Sequence, residues 1–189
     1  MPIKKYMDLQ SQLDLPFLET NQIHLPQIFN ILAEKFGLEN NSNQLFLDLG
    51  AGNGTVVIFS AVNYNIRSKG IEIDPILVEE AKYTIRALRS QKVLNKRIVK
   101  KIKIVQGDFY ELDLKNYDYI YIYSLPTMQK YLKHVFKTAR LGVIIISHMY
   151  PLRDFEKDLQ LEFELNHNGE NHKNITYFYR KVKLGTKTV

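Results

Sequence analysis

Asp48-Leu49-Gly50-Ala51-Gly52-Asn53-Gly54 sets three alternate glycines after a short apolar run and ahead of another. Glycine in such a turn lets the chain bend tightly and lets a ligand approach the backbone, where a following helix offers unpaired amides. Gly50-x-Gly52 opens like a dinucleotide-binding turn, but the third glycine stands at 54 instead of 55, and that pattern fails. Glu72 follows Gly54 by 18 residues, at the end of the next apolar run, where a carboxylate can accept hydrogen bonds from both hydroxyls of a ribose. Asp108, in Val105-Gln106-Gly107-Asp108-Phe109, can accept from an exocyclic adenine amine while Phe109 or Ile73 packs on the ring. The plainer readings are a bare turn, a surface acid and a loop cap. Three such groups falling at the ends of successive apolar runs weigh more than any one of them.

The elements that must position these groups are legible. Gln44 to Leu49 reads as a buried strand between a polar cluster and Gly50, with a helix from Val56 to Val62 packed on it. Arg67 to Ile73 is a second strand. Asp74-Pro75 starts a helix running to about residue 91, Asp as cap and Pro at the first helical position, with Val78, Ala81, Ile85 and Leu88 as its buried stripe. Ile102 to Val105, Tyr117 to Tyr123 and Leu141 to Ser147 supply three more strands, the last two continuously apolar as in a sheet covered on both faces. Leu159, Leu161, Phe163 and Leu165 alternate with polar residues and predict a half-exposed strand, paired with Ile175 to Val182. Five strands separated by helices and then a hairpin predict an α/β fold, an open parallel sheet with an antiparallel edge. Ligands of such sheets bind beyond the carboxyl ends of the strands.

With 189 residues, 45% hydrophobic and 24% charged, the composition is that of a globular protein large enough for such a sheet. The absence of cysteine excludes disulfides, thiolate nucleophiles and cysteine zinc sites, and suits a reducing compartment. No membrane span is read, and the cytoplasm is the expected location. The net charge of +6 is concentrated: Ala81 to Gly107 contains no acid but carries Lys82, Arg86, Arg89, Lys92, Lys96, Arg97, Lys100, Lys101 and Lys103. This stretch is either a solvated face or a surface for direct nucleic-acid contact, although no aromatic residue after Tyr83 is present to stack bases. His167 and His172, in a polar loop, are read as solvated, and no metal is assigned. His148 is either a pocket residue or a satisfied core histidine.

The sequence resembles the class I, seven-stranded S-adenosylmethionine-dependent methyltransferases. The resemblance rests on Phe46 to Gly54, Gly70-Ile71-Glu72-Ile73-Asp74-Pro75, Gln106-Gly107-Asp108-Phe109 and the fourth and fifth strands. Pro16-Phe17-Leu18-Glu19-Thr20, Ser124-Leu125-Pro126-Thr127-Met128 and Ile146-Ser147-His148-Met149-Tyr150-Pro151-Leu152 narrow it to the small protein-lysine methyltransferases without a SET domain, namely the archaeal and ATP-synthase c-subunit types, and distantly the nucleosomal histone-lysine enzymes. It departs where Glu19 stands in place of a frequent proline and where Pro26 interrupts an expected helix.

The resemblance implies a Rossmann-like seven-stranded sheet with helices on both faces and a single domain over 1–189: an N-terminal helical lid (1–40), a cofactor-binding core (44–150) and a C-terminal hairpin (158–183). It implies that S-adenosyl-L-methionine is held by Thr20, Asp48, Gly50, Ala51, Gly52, Asn53, Gly54, Glu72, Ile73, Asp108, Phe109 and Ser124. Thr20 would close over the methionine moiety. Tyr123, Ser124, Leu125, Pro126 and His148 would shape the acceptor channel, with no catalytic base assigned. The expected activity is methylation of exposed lysines of proteins, nucleic-acid-associated ones among them, by a monomer. The alternatives are an RNA methyltransferase of the same fold and a non-catalytic basic module. A nucleobase amino methyltransferase would carry Asn or Asp, Pro-Pro and an aromatic where Ser124-Leu125-Pro126-Thr127 stands.

Overall fold

The computed structural model describes residues 18–167 and 174–183. Pro16, Phe17 and His172 lie outside the described residues. Seven strands, β1 (Leu45–Leu49), β2 (Arg67–Glu72), β3 (Ile102–Gln106), β4 (Tyr119–Ile122), β5 (Ile144–His148), β6 (Leu159–Asn166) and β7 (Ile175–Lys181), form one sheet in the order β3-β2-β1-β4-β5-β7-β6. The first five pair in parallel, whereas β7 is inserted antiparallel between β5 and β6. Chain order reverses between β1 and β4, so the crevice that such sheets use for ligands opens at the carboxyl ends of these two strands.

The helices are α1 (Leu25–Phe36), α2 (Thr55–Tyr64), α3 (Pro75–Ser90) and the short α4 (Lys96–Val99), α5 (Pro126–Gln129) and α6 (Lys133–Lys137). Side chains alternate across the sheet and two cores result. Leu47, Leu49, Ile120, Ile122 and Ile145 pack with Val135 and Phe136 of α6 on one face. Phe46, Tyr119, Tyr121, Ile144 and Ile146 pack with Leu25, Ile28, Phe29 and Leu32 of α1 on the other. Burial on both faces explains why β4 and β5 read as unbroken apolar runs.

Pro26 begins a helix where an interruption was expected. It sits in the first turn of α1, where its missing N–H has no intrahelical partner to lose. Asp74 caps α3 as predicted, its side chain accepting from the Ile76 amide at 2.8 Å. The fifth strand starts at Ile144 instead of Leu141, because Gly142 takes a left-handed turn with φ 79°. In β6 the register shifts between Leu161 and Phe163. Leu159 therefore joins one core, Phe163 and Leu165 join the other, and Leu161 is exposed. A bulge turns residues of the same parity to opposite faces, so simple alternation fails there.

Candidate functional site

The glycine turn leaves β1 at the switch in strand order. Gly50, Gly52 and Gly54 all have left-handed φ (83°, 52° and 81°), which side-chain-bearing residues rarely adopt. The amides of Gly50 and Ala51 both donate to the carbonyl of Ile71 at 2.9 Å, holding the turn against β2. Gly70 of β2 is required for that approach, since a Cβ there would stand 2.5 Å from the Ala51 Cβ.

Glu72 closes the turn from the far side. Its Oε2 accepts from the Gly52 amide at 2.8 Å, and Oε1 accepts from Ile73 and Asp74 at 2.8 and 2.9 Å. The carboxylate expected to meet ribose hydroxyls thus braces the turn. Asp108 caps a short 3-10 turn by accepting from the Tyr110 amide at 2.9 Å, which agrees with the loop-cap reading. Phe109 lies against the turn, its ring 3.6 Å from where a Cβ on Gly50 would be. The Gly107 amide bonds the carbonyl of Glu72, so Glu72, Ile73, Asp108 and Phe109 share one end of β2 and β3.

Across β1 lies a small cavity of about 20 Å³, lined by Leu18, Glu19, Thr20, Asp48, Gly50, Ala51, Asn53, Thr55, Val56, Tyr121 and Tyr123. That is room for about one water molecule, against the several hundred Å³ of a typical small-molecule site. The segment Leu18–Thr20 closes it through two bonds. Thr20 Oγ1 and the Tyr121 hydroxyl are 2.8 Å apart, and Asn53 Nδ2 donates to Glu19 Oε1 at 2.7 Å. Glu19, in a place where proline was expected, thereby ties this segment to the glycine turn.

Asp48 is 3% exposed, and among the described residues no donor reaches its carboxyl. Burial, and then the nearby Glu72, push its pKa well above the usual carboxylate range. Tyr121 faces it from the adjacent position of β4, with a hydroxyl that burial pushes well up as well. Burial, then Tyr150, also raises Tyr123, so both phenols stay neutral around neutral pH.

Ser124, Leu125 and Pro126 follow β4 into α5 and do not line the cavity. Ser124 is buried, and its hydroxyl has no partner among the described residues. Its carbonyl accepts from Gln129 Nε2 at 3.2 Å. His148 is buried at the end of β5 with its ring edge-on to Tyr123, centroids 4.9 Å apart.

The solvated reading of His167 is corrected. It is half-buried just after β6, its ring stacked on His24 at 4.1 Å, with both nitrogens hydrogen-bonded. Burial, and then the neighbouring imidazoles, hold His148 down to about 3 and His167 to about 4, and burial lowers His24. Tyr121, His24 and Glu19 were missed as site residues because each reads locally as core or surface. Only their approach across 34 to 143 positions of sequence reveals them.

Arg67, Lys69, Lys100, Lys101 and Lys103 line a separate concavity of about 320 Å³. It sits at the amino ends of β1 to β3, the opposite end of the sheet from the glycine turn. Among the described residues no helix is long and apolar enough to cross a membrane.

A family model described as the ANTKMT methyltransferase domain matches residues 48–159. A protein-lysine N-methyltransferase of Saccharolobus islandicus (strain REY15A) is 24% identical over 132 residues, which is 67% of this chain and 77% of that protein. Among solved structures, an RNA methyltransferase from Salinibacter ruber in complex with S-adenosyl-L-homocysteine is similar with a TM-score of 0.71 at 20% identity, over 88% of this chain and 95% of that one. TYW2 of P. horikoshii in complex with MeSAdo is similar with a TM-score of 0.59 at 17% identity, over 78% and 60%. The two structural likenesses show the fold.

Proposed function

The chain belongs to the ANTKMT methyltransferase domain family, and we propose that it moves the methyl group of S-adenosyl-L-methionine directly onto the ε-amino group of lysines in proteins. The observation that carries this reading is the pair of carboxyl groups flanking the glycine turn. Asp48 is buried without a donor among the described residues and is costly to ionise until a cation arrives. Glu72 already accepts three N–H bonds in the geometry that hydroxyl donors would replace. A cationic ligand bearing a ribose fits both.

When bound, the cofactor supplies a methyl group already activated by its sulfonium. Asp48 would then hold positive charge, Glu72 would take the ribose hydroxyls, and Phe109 and Ile73 would flank the base. Leu18–Thr20 would move aside for the part of the cofactor that enters the cavity, which has room for about one water molecule. Its return re-forms the Thr20–Tyr121 contact and excludes water.

A lysine of pKa ~10.4 lies about 3.4 units above neutrality, so presenting it as a free amine costs roughly 4.6 kcal/mol. The neutral hydroxyls of Tyr121 and Tyr123 give an incoming ammonium no countercharge. Partial desolvation beside a positive sulfonium then favours the unprotonated nucleophile. The remaining requirement is alignment of amine and methyl carbon.

The choice of lysine is supported by the activity named for the Saccharolobus relative and by Ser124-Leu125-Pro126-Thr127, which departs from the nucleobase pattern. The test is incubation of the purified chain with methyl-labelled S-adenosyl-L-methionine and, in parallel, a protein extract or total RNA, read by mass spectrometry. Label in methyl-lysine is the expected result. Label in RNA alone overturns it in favour of an RNA methyltransferase.

A further inference from the structure

Three imidazoles from distant parts of the chain converge beside the proposed acceptor channel. His24 ends the 3-10 turn before α1, His148 ends β5 and His167 follows β6. One ring nitrogen of each lies within 4.8 Å of the other two. Of the three, only His148 is a candidate for the acceptor channel, and methyl transfer has no use for the cluster as a unit.

The hydrogen bonds around it run in one direction. His148 Nδ1–H donates to Thr176 Oγ1 at 2.7 Å, the Thr176 hydroxyl donates to His167 Nε2 at 2.8 Å, and His167 Nδ1–H donates to Gln27 Oε1 at 2.7 Å. His148 is oriented as metal-binding histidines are, its Nδ1–H anchored on an oxygen so that Nε2 keeps its lone pair, whereas the lone pair of His167 Nε2 is held by Thr176. His24 is 8% exposed, and its Nδ1 has no partner among the described residues.

We propose that His24, His148 and His167 form a three-histidine site for a divalent transition-metal ion, with zinc as the fitting ion. Three nitrogens no more than 4.8 Å apart surround a point at most about 2.8 Å from each, whereas zinc takes imidazole at about 2.0–2.1 Å. Each ring would close in by up to about 0.7 Å, and because His24 and His167 stack with ring planes 20° apart, one of them also has to turn about its side chain to aim a lone pair at the ion. His167 Nε2 exchanges Thr176 for the ion, while Thr176 stays on His148 Nδ1. An all-imidazole donor set favours zinc, copper or nickel over magnesium or calcium.

The ion would join β5 and the hairpin to the chain four residues beyond Thr20. It would thereby pin the root of the segment that covers the cavity. Water or a substrate group fills the fourth position of a tetrahedral ion.

The test uses the full chain stripped with chelator and titrated with zinc chloride by calorimetry, with cobalt(II) as an optical probe. One zinc per chain and the intense visible absorption of tetrahedral cobalt are expected. His167→Asn and His148→Asn should each weaken zinc at least about tenfold, the order of loss seen even for outer partners of metal ligands. If His148→Asn fails to fold, His167→Asn gives the same reading at a half-exposed position. Absence of zinc binding overturns the proposal, as does equal binding by wild type and His167→Asn. So does a weak octahedral cobalt spectrum. None of these readouts depends on methyl transfer.

Discussion

Replacing Glu72 by glutamine keeps the shape of the side chain and removes the charge that holds three amides, those of Gly52, Ile73 and Asp74 at 2.8, 2.8 and 2.9 Å. Glutamine has one carbonyl oxygen. If that oxygen keeps Ile73 and Asp74, the NH2 group faces the Gly52 amide, donor against donor. One bond to a charged acceptor is lost, worth about 1.5–3 kcal/mol. Removing the carboxylate also relieves Asp48, whose raised pKa Glu72 helps to cause, which offsets part of that loss. For a chain of this size, the lost bond alone would lower Tm by about 3–12 °C, and the offset brings the fall below that.

Cofactor affinity should fall further in proportion. Two ribose hydroxyls would gain a charged acceptor, but Gly52 must give it up, leaving about one charge-assisted bond at stake. Its 1.5–3 kcal/mol corresponds to a Kd weaker by about 10- to 150-fold. Calorimetry with S-adenosyl-L-homocysteine and thermal unfolding of Glu72→Gln measure the two effects separately. A lowered Tm with affinity within about threefold of wild type would refute the ribose assignment and leave Glu72 as a brace of the turn.

Gly70→Ala drives a Cβ to 2.5 Å from that of Ala51, a contact that no rotamer relieves, and should cost about 1–3 kcal/mol in urea unfolding. Adding Ala51→Gly should restore part of it, and a double variant no more stable than Gly70→Ala counts against the clash. Asp48 has a folded pKa above its unfolded value, so above the ordinary carboxylate range its ionisation opposes folding. Asp48→Asn should therefore raise Tm of the free protein at pH 8, lose that advantage below about pH 4, and weaken the cofactor. In the wild type, a bound cation lowers the Asp48 pKa, and binding should release a fraction of a proton, detected as buffer-dependent enthalpy. Thr20→Val strips the buried Tyr121 hydroxyl of its partner and should cost about 1–3 kcal/mol, most of it recovered when Tyr121→Phe is added, as chemical denaturation of both variants reports.

Features written in neighbouring residues were legible without a structure. The cap at Asp74, the glycine turn and the apolar runs of β4 and β5 are local, because a cap, a left-handed turn or double burial acts within a few residues. Pro26 was misjudged because proline breaks a helix interior yet begins a helix well, and only the boundary at Leu25 separates the two cases. The alternation in β6 was visible, but its bulge was not. Which strand slips is decided by the partner, here β7, and not by the strand's own pattern.

By itself the sequence determined the strand and helix periods, the parallel character of the core and the carboxylates flanking the turn, since each follows from local propensity and spacing. Tertiary structure alone decided that Thr20 meets Tyr121 across 101 residues, that Glu19 reaches Asn53, and that His24, His148 and His167 share one buried corner. Those contacts depend on strand order and on the insertion of β7 between β5 and β6, which no residue encodes alone and the packing of the whole sheet selects.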